Sequence, residues 1–240
     1  MSYDFTKFKS ILEQWQIPFS EKQQEQLIVY YEMLVEKNKV MNLTAITEFE
    51  DVLEKHFLDS IAVGRYVDLS KDLSVIDLGT GAGFPGMPLK ILFPNLKITL
   101  ADSLNKRILF LEEVIDALGL EGVSTVHGRA EDLAANRAYR EQYDLCVSRA
   151  VANLSTLSEY CLPFVKLGGT FISYKSGAIE EELSAAKKAV FLLGGQIKEV
   201  IPFQLDGTDI NRSFVMIGKE KKTPKAYPRK SGTPSKKPLG

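Results

Sequence analysis

The chain opens with a helical rhythm. Phe5, Phe8, Leu12 and Trp15 recur three or four residues apart, which gathers them on one face of a helix. Pro18 interrupts it. Ser20 with Gln23 then has the spacing of a capping box, opening a second helix striped by Leu27, Tyr30, Tyr31 and Leu34. Aromatics on such stripes are expected to pack between helices rather than to cage a ligand. Residues 42–47 read as a polar turn, and Thr47 precedes a further helix carrying His56-Phe57-Leu58-Asp59-Ser60. Beyond Leu69 the period changes. Short apolar runs at 73–78, 96–101, 123–126, 145–148 and 170–174 suit strands buried on both faces of a parallel sheet. Helical stripes separate several of them. One carries Leu104, Ile108, Leu111, Ile115 and Leu118; another carries Ile179, Leu183, Ala186 and Val190 and stops at Gly194-Gly195.

Alternation of strand and helix predicts an α/β fold: a doubly wound, mostly parallel sheet with right-handed crossovers and an N-terminal helical extension. The runs at 197–203 and 214–217 are joined by a turn-rich link holding Asp206-Gly207, too short for a crossover helix. An antiparallel pair at the sheet edge is therefore expected. The chain divides into a helical segment packed on the core (1–70), the sheet domain (71–218) and a tail (219–240).

Composition adds constraints. With 240 residues, 45% of them hydrophobic, including 13 Phe and 9 Tyr, the chain can build a core, which excludes general disorder. No apolar run approaches the roughly 20 residues of a membrane helix, and the first residues lack the continuous apolar stretch of a secretory signal, so no membrane partner is expected. The two cysteines, Cys146 and Cys161, form no C-x-x-C pair. That argues against a disulfide framework or a cysteine metal site, and for a reducing cytoplasm with both thiols in the core. His56 and His127 are too few and too scattered for a metal site.

Charge changes the picture more. The 30 basic and 31 acidic residues cancel only on average, because after Gly218 eight basic residues face one acid, among four of the chain's ten prolines. The tail is expected to be extended and mobile on an acidic body, and suited to nucleic-acid phosphates. Tyr227 within it can stack on an exposed base.

Candidate chemistry begins at Asp77-Leu78-Gly79-Thr80-Gly81-Ala82-Gly83, directly after the first strand. Glycines there let the backbone turn sharply and approach a ligand. The dinucleotide pattern G-x-G-x-x-G fails when counted from Gly79, because its third glycine falls on Phe84; counted from Gly81 it needs a proline beside the second glycine. An acid before the loop suits a cationic, amino-acid-bearing ligand without phosphates, and S-adenosylmethionine is one. The second strand ends at Asp102, about 20 residues on, where a carboxylate can accept from ribose hydroxyls. Helix capping is the alternative for that residue. After the third strand, His127-Gly128-Arg129-Ala130-Glu131-Asp132 can address an adenine edge.

The order of these motifs resembles the class I S-adenosylmethionine-dependent methyltransferases. The fuller pattern resembles the GidB family of small-subunit ribosomal RNA guanine-N7 methyltransferases. It is carried by residues 42–47, His56-Phe57-Leu58-Asp59-Ser60, Asp77 to Gly86, Asp102 to Arg107, Arg129-Ala130-Glu131, Ser148-Arg149-Ala150, Lys175 and the tail from Thr223 to Pro234, so it covers nearly the whole chain. The resemblance implies S-adenosylmethionine as cofactor and a guanine N7 of 16S ribosomal RNA as acceptor, free or in a small-subunit ribonucleoprotein, with the protein a cytoplasmic monomer. It places Gly79, Phe84, Ala130, Glu131 and Arg149 in the cofactor site; Asp102 is added from its position. Phe84, which breaks the dinucleotide pattern, would cover the bound nucleoside. Lys175 and Arg149 are also candidates to contact RNA or the incoming guanine.

Guanine N7 has a free lone pair on the major-groove edge and can attack a sulfonium methyl without first losing a proton. No general base and no covalent catalyst is expected, and His56 is read as fixing helix packing near the cofactor. The N-P-P-Y-like segment of exocyclic-amine transfer is absent after the fourth strand, where Ser148-Arg149-Ala150-Val151 stands. Two rivals share the cofactor site: a methyltransferase for a small molecule or protein, and a nucleotide-sensing module without turnover. On the favoured reading, removing the residues after Lys219 should weaken RNA methylation and leave cofactor binding intact.

Overall fold

A computed structural model describes residues 3–149, 151–177 and 179–239. The N-terminal helices are α1 (Thr6–Gln14), α2 (Glu21–Met41), α3 (Phe49–Val52) and α4 (Asp59–Ile61), with a π-helical turn at Leu53–Leu58 and a 3-10 turn at Ala62–Arg65. The capping box forms as the spacing predicts: the Ser20 hydroxyl accepts from the Gln23 amide while the Gln23 side chain accepts from Ser20 N. Leu27, Tyr30 and Leu34 are fully buried, each on the same face of α2. Tyr30 stacks on Phe57, as the core-packing reading of these aromatics requires.

The sheet elements follow in strand–helix order: β1 (Ser74–Leu78), α5 (Gly86–Leu92), β2 (Lys97–Asp102), α6 (Asn105–Leu118), β3 (Val123–His127), α7 (Ala130–Leu133), β4 (Tyr143–Arg149), α8 (Leu154–Cys161) with a 3-10 turn at Leu162–Phe164, β5 (Val165–Ser176), α9 (Glu180–Leu192), β6 (Gly195–Gln204) and β7 (Asn211–Lys219). A short α10 (Thr233–Lys236) lies in the tail. The strand order is β3-β2-β1-β4-β5-β7-β6, with β1 to β5 parallel and β7 antiparallel to both neighbours. The doubly wound sheet and the antiparallel edge pair are thus as expected.

Side chains alternate across the sheet. Val75, Ile98, Leu100 and Ile172 face the core shared with α1, α2 and α6, whereas Ile76, Ala101, Cys146 and Phe171 face the core shared with α8 and α9. Both cysteines are free and buried in the second core, where burial pushes the Cys161 thiol well up. No helix of the described residues is long and apolar enough to cross a membrane.

The tail corrects the expectation of an extended, mobile segment. Lys219 is buried and donates to Leu162 O and Thr223 Oγ1. Arg140 donates to the carbonyls of Thr223 and Tyr227, and Arg229 grips Glu159 with two nitrogens. The Glu159 side chain is wholly buried, so the pair joins tail to α8 in a place where a lone carboxylate would be costly. Beyond it Pro234 is buried, and its carbonyl accepts from Thr156 Oγ1. Lysine- and proline-rich composition gave no sign of these anchors, because their partners on the body lie 57 to 87 residues away in sequence.

Candidate active site

Order reverses in the sheet where β1 lies between β2 and β4, the position at which doubly wound folds open a crevice at the carboxyl ends of their strands. A cavity of about 540 Å³ occupies it. Gly79, Phe84, Asp102, Ala130, Glu131 and Arg149, the six residues singled out from sequence, all line it.

The glycine loop forms its floor. Gly79, Gly81 and Gly83 have positive φ angles, and a Cβ on Gly79 would stand 2.6 Å from Val151 Cγ2. Asp77 organises the loop from beneath, its Oδ2 accepting from Thr80 Oγ1 (2.7 Å) and Gly86 N (2.8 Å). It is fully buried, does not line the cavity, and leaves Oδ1 without a hydrogen-bond partner. Burial pushes its carboxyl up to about 6, against the pull of those two donors and of Arg149.

Asp102 supports the loop from the side: Oδ2 accepts from Gly81 N and Arg107 Nη1, and Oδ1 from Leu104 N. Of the roughly four acceptor positions of a carboxylate, these contacts take three, which narrows what a ligand can claim. The capping alternative is met in altered form, since the bond to Leu104 N steadies the turn before α6, whose own N-cap makes no side-chain bond. Glu131, in the single turn of α7, is 8% exposed, and its Oε1 accepts from Gly232 N of the tail at 2.8 Å.

The opposite wall is a stack. His56 lies face to face with Phe84, centroids 4.5 Å apart, and the Arg149 guanidinium sits 5.0 Å over the same ring. His56 Nδ1 faces the Lys55 carbonyl, which can only accept, so Nδ1 carries the proton and Nε2 accepts from the Thr44 hydroxyl at 2.7 Å. Burial, aided by Arg149, pushes the imidazole down to about 4, which keeps it neutral. Arg149 donates to Asp59 Oδ2 (2.8 Å), and Arg212 donates to Asp59 Oδ1 (2.8 Å). Ala150 of the Ser148-Arg149-Ala150 segment lies outside the described residues.

A second cavity of about 800 Å³ adjoins the first, and His56 and Arg149 line both. Lys175 reaches it, donating to Ala152 O and pairing with Glu182 at 2.5 Å. Sequence reasoning missed Thr44, Asp59, Tyr160 and Arg212 as site residues. Arg212 was hidden by topology: β7 runs antiparallel, so its first residues pair with Ser176 at the carboxyl edge of β5. A strand-by-strand reading of a parallel sheet looks for site residues only at the carboxyl ends of strands.

This topology with its switch-point cavity is the fold of the class I S-adenosylmethionine-dependent methyltransferases. Solved structures share it: TrmN from Thermus thermophilus (TM-score 0.52, 16% identity, 70% of this chain and 53% of that one) and a SAM dependent methyltransferase from Aquifex aeolicus (TM-score 0.53, 17% identity, 70% and 92%). The chain belongs to the rRNA small subunit methyltransferase G family, whose model matches residues 23–211. Proteins called ribosomal RNA small subunit methyltransferase G from Bacillus cereus (strain AH187) and Staphylococcus carnosus (strain TM300) are each 52% identical to it, over 97% and 95% of this chain and 98% and 95% of theirs. The resemblance drawn from the motifs is borne out.

Proposed function

We propose that the protein transfers the methyl group of S-adenosylmethionine to N7 of a guanine in 16S ribosomal RNA, acting in the cytoplasm as a monomer. Family membership supports the methyl transfer to small-subunit RNA. The observation that carries the site assignment is the pair of adjoining cavities that meet at His56 and Arg149. One suits the S-adenosyl group and the other the acceptor base.

The first cavity fits its ligand in three ways. Its floor is glycine backbone, and a Cβ at Gly81 would meet nothing within 4 Å, so the loop faces open space there. Its volume lies within the range of small-ligand sites. Its acids, Asp102 and Glu131, suit a ligand that carries positive charge and hydroxyl donors. In this reading Gly79 and Gly81 admit the ligand, Phe84 covers the nucleoside, Ala130 and Glu131 meet the adenine edge, and Asp102 offers its remaining acceptor position to the ribose. When bound, the sulfonium supplies an electrophilic methyl.

The protein's own contribution is alignment and exclusion of water. The Phe84–His56 stack closes the apolar side of the junction, and the neutral imidazole adds no charge that would oppose the cation forming on the purine. Asp59 fixes the two arginines that border the acceptor cavity. In this reading the helical segment 1–70 supplies His56 and Asp59 to the sheet domain 71–218, and the tail braces Glu131 through Gly232.

The test is incorporation of labelled methyl from S-adenosylmethionine into small-subunit RNA and small-subunit particles from cells lacking the activity. RNase-sensitive label, released by cleavage selective for N7-methylguanine, is the expected result. Label absent from both substrates, or resistant to RNase, sinks the proposal.

A further inference from the structure

The described tail residues form a strap. It leaves the sheet at Lys219, crosses α8 at the Arg229–Glu159 pair, passes the first cavity at Gly232 and returns to α8, where Leu239 O accepts from Ser155 Oγ. There Gly232 N donates to Glu131 Oε1, and Ser231 Oγ donates to Asp132 Oδ1 at 2.9 Å. Two neighbouring carboxylates of α7, one of them in the cavity lining, are thus held by one stretch of tail.

The contact has a demanding backbone. Gly232 has φ of +82°, a conformation open to glycine and tolerated by asparagine but strained for β-branched residues. A Cβ at this position would meet nothing within 4 Å, so only the conformation, and no side-chain clash, restricts what can stand there. Arg229 is positioned to hold that conformation: its backbone N and guanidinium both engage Glu159, and its Nη2 donates to Lys237 O beyond α10. The turn carrying Gly232 is pinned on both sides.

We infer that the strap is a positioning element of the S-adenosyl site, with the Gly232 N–H orienting the Glu131 carboxylate toward the ligand. The inference rests on the cofactor reading above. A carboxylate fixed by one charge-assisted donor presents its second oxygen in one direction, without loss of side-chain freedom on binding. The strap therefore belongs to the cofactor site, against the expectation that cofactor binding is indifferent to the tail.

Calorimetric titration of full-length variants with S-adenosylhomocysteine tests this. Gly232→Val, which cannot hold the left-handed turn, should bind about tenfold more weakly, the equivalent of one charge-assisted hydrogen bond. Gly232→Asn should bind as the native chain does. In turnover, Gly232→Val should raise KM for S-adenosylmethionine while keeping kcat at saturation, a split that a general loosening of the fold would not give. If Gly232→Val fails to fold, a chain ending at Lys230, which keeps the Arg229–Glu159 pair, replaces it and should show the same loss. Native affinity in the folded variant, or in the truncated chain standing in for it, overturns the proposal; so does equal weakening by Val and Asn. A native chain that takes up no S-adenosylhomocysteine overturns both the proposal and the cofactor reading beneath it.

Discussion

Two buried titratable groups flank the glycine loop, and the fold pushes them in opposite senses. His56 is driven down from 6.5 to about 4, by burial and then by Arg149; Asp77 is driven up from 3.8 to about 6, by burial. As pH falls from 6.5 toward 4, the unfolded chain protonates His56 before the folded one, so acid removes stability through this residue. Between 6 and 3.8 the folded chain protonates Asp77 first, so acid adds stability through that one. The two effects oppose each other across nearly the same window. Urea unfolding of the parent, Asp77→Asn and His56→Gln at pH 6 and pH 4 should separate them. The parent should gain on Asp77→Asn as pH falls and lose ground to His56→Gln. Differences that do not change with pH would contradict both shifts. The histidine's packing role, seen in its stack on Phe84 at the edge of the cavity, was legible in His56-Phe57-Leu58-Asp59-Ser60. Its hydrogen bond to Thr44 was not, since it depends on how 42–47 folds back.

Elements were legible where one face is apolar and the other polar. The stripe from Leu104 to Leu118 gave α6 to within a residue, and Ser20 gave the start of α2. Helix α8 was not separated from its surroundings, because nearly all its residues are buried and no polar face marks its period. The π-helical turn at Leu53–Leu58 left no trace in the pattern, although it carries His56 to the site. For the strap, composition misled. Arginine and lysine usually mark solvent, yet Arg229 faces a carboxylate with no solvent exposure. Arg229→Ala should therefore cost about 3 kcal/mol and lower Tm by roughly 6–12 °C, because Glu159 is left buried and unpaired. Arg229→Lys should recover only part, since it lacks the two-nitrogen grip. Thermal melts check this; an alanine variant melting with the parent would mean that the strap is not held by this pair.

At the scale of the whole molecule, two cavities lie on one edge of one sheet, and the proposed function divides the work between them. Arg212 borders only the second of them and pairs with Asp59, so its effect on the two ligands should differ. Arg212→Ala is expected to lower methyl transfer to RNA by roughly a hundredfold through misplacement of the acceptor, with S-adenosylhomocysteine affinity near native. Parallel calorimetry and labelled-methyl assays decide it; loss of cofactor affinity of the same size would erase the distinction between the cavities. The doubly wound sheet and the glycine-loop side of the first cavity were legible, because short-range strand and glycine patterns build them, whereas Thr44 and Tyr160 of its lining were not. The second cavity was not, because it is assembled from the π-helical turn, β5 and an antiparallel strand that no local pattern joins.

The direction of β7 also bears on how the protein is made. Its start lies at the cavity edge and its end, at Lys219, near the opposite edge, so the strap must travel back before Gly232 reaches Glu131. Domains fold from the N-terminus as they emerge during synthesis. Glu131 thus emerges 101 residues before Gly232, so the sheet can begin to pair before the contact on Glu131 can form. A nascent chain therefore has the glycine loop and Glu131 in place while the carboxylate still waits for its donor from the tail.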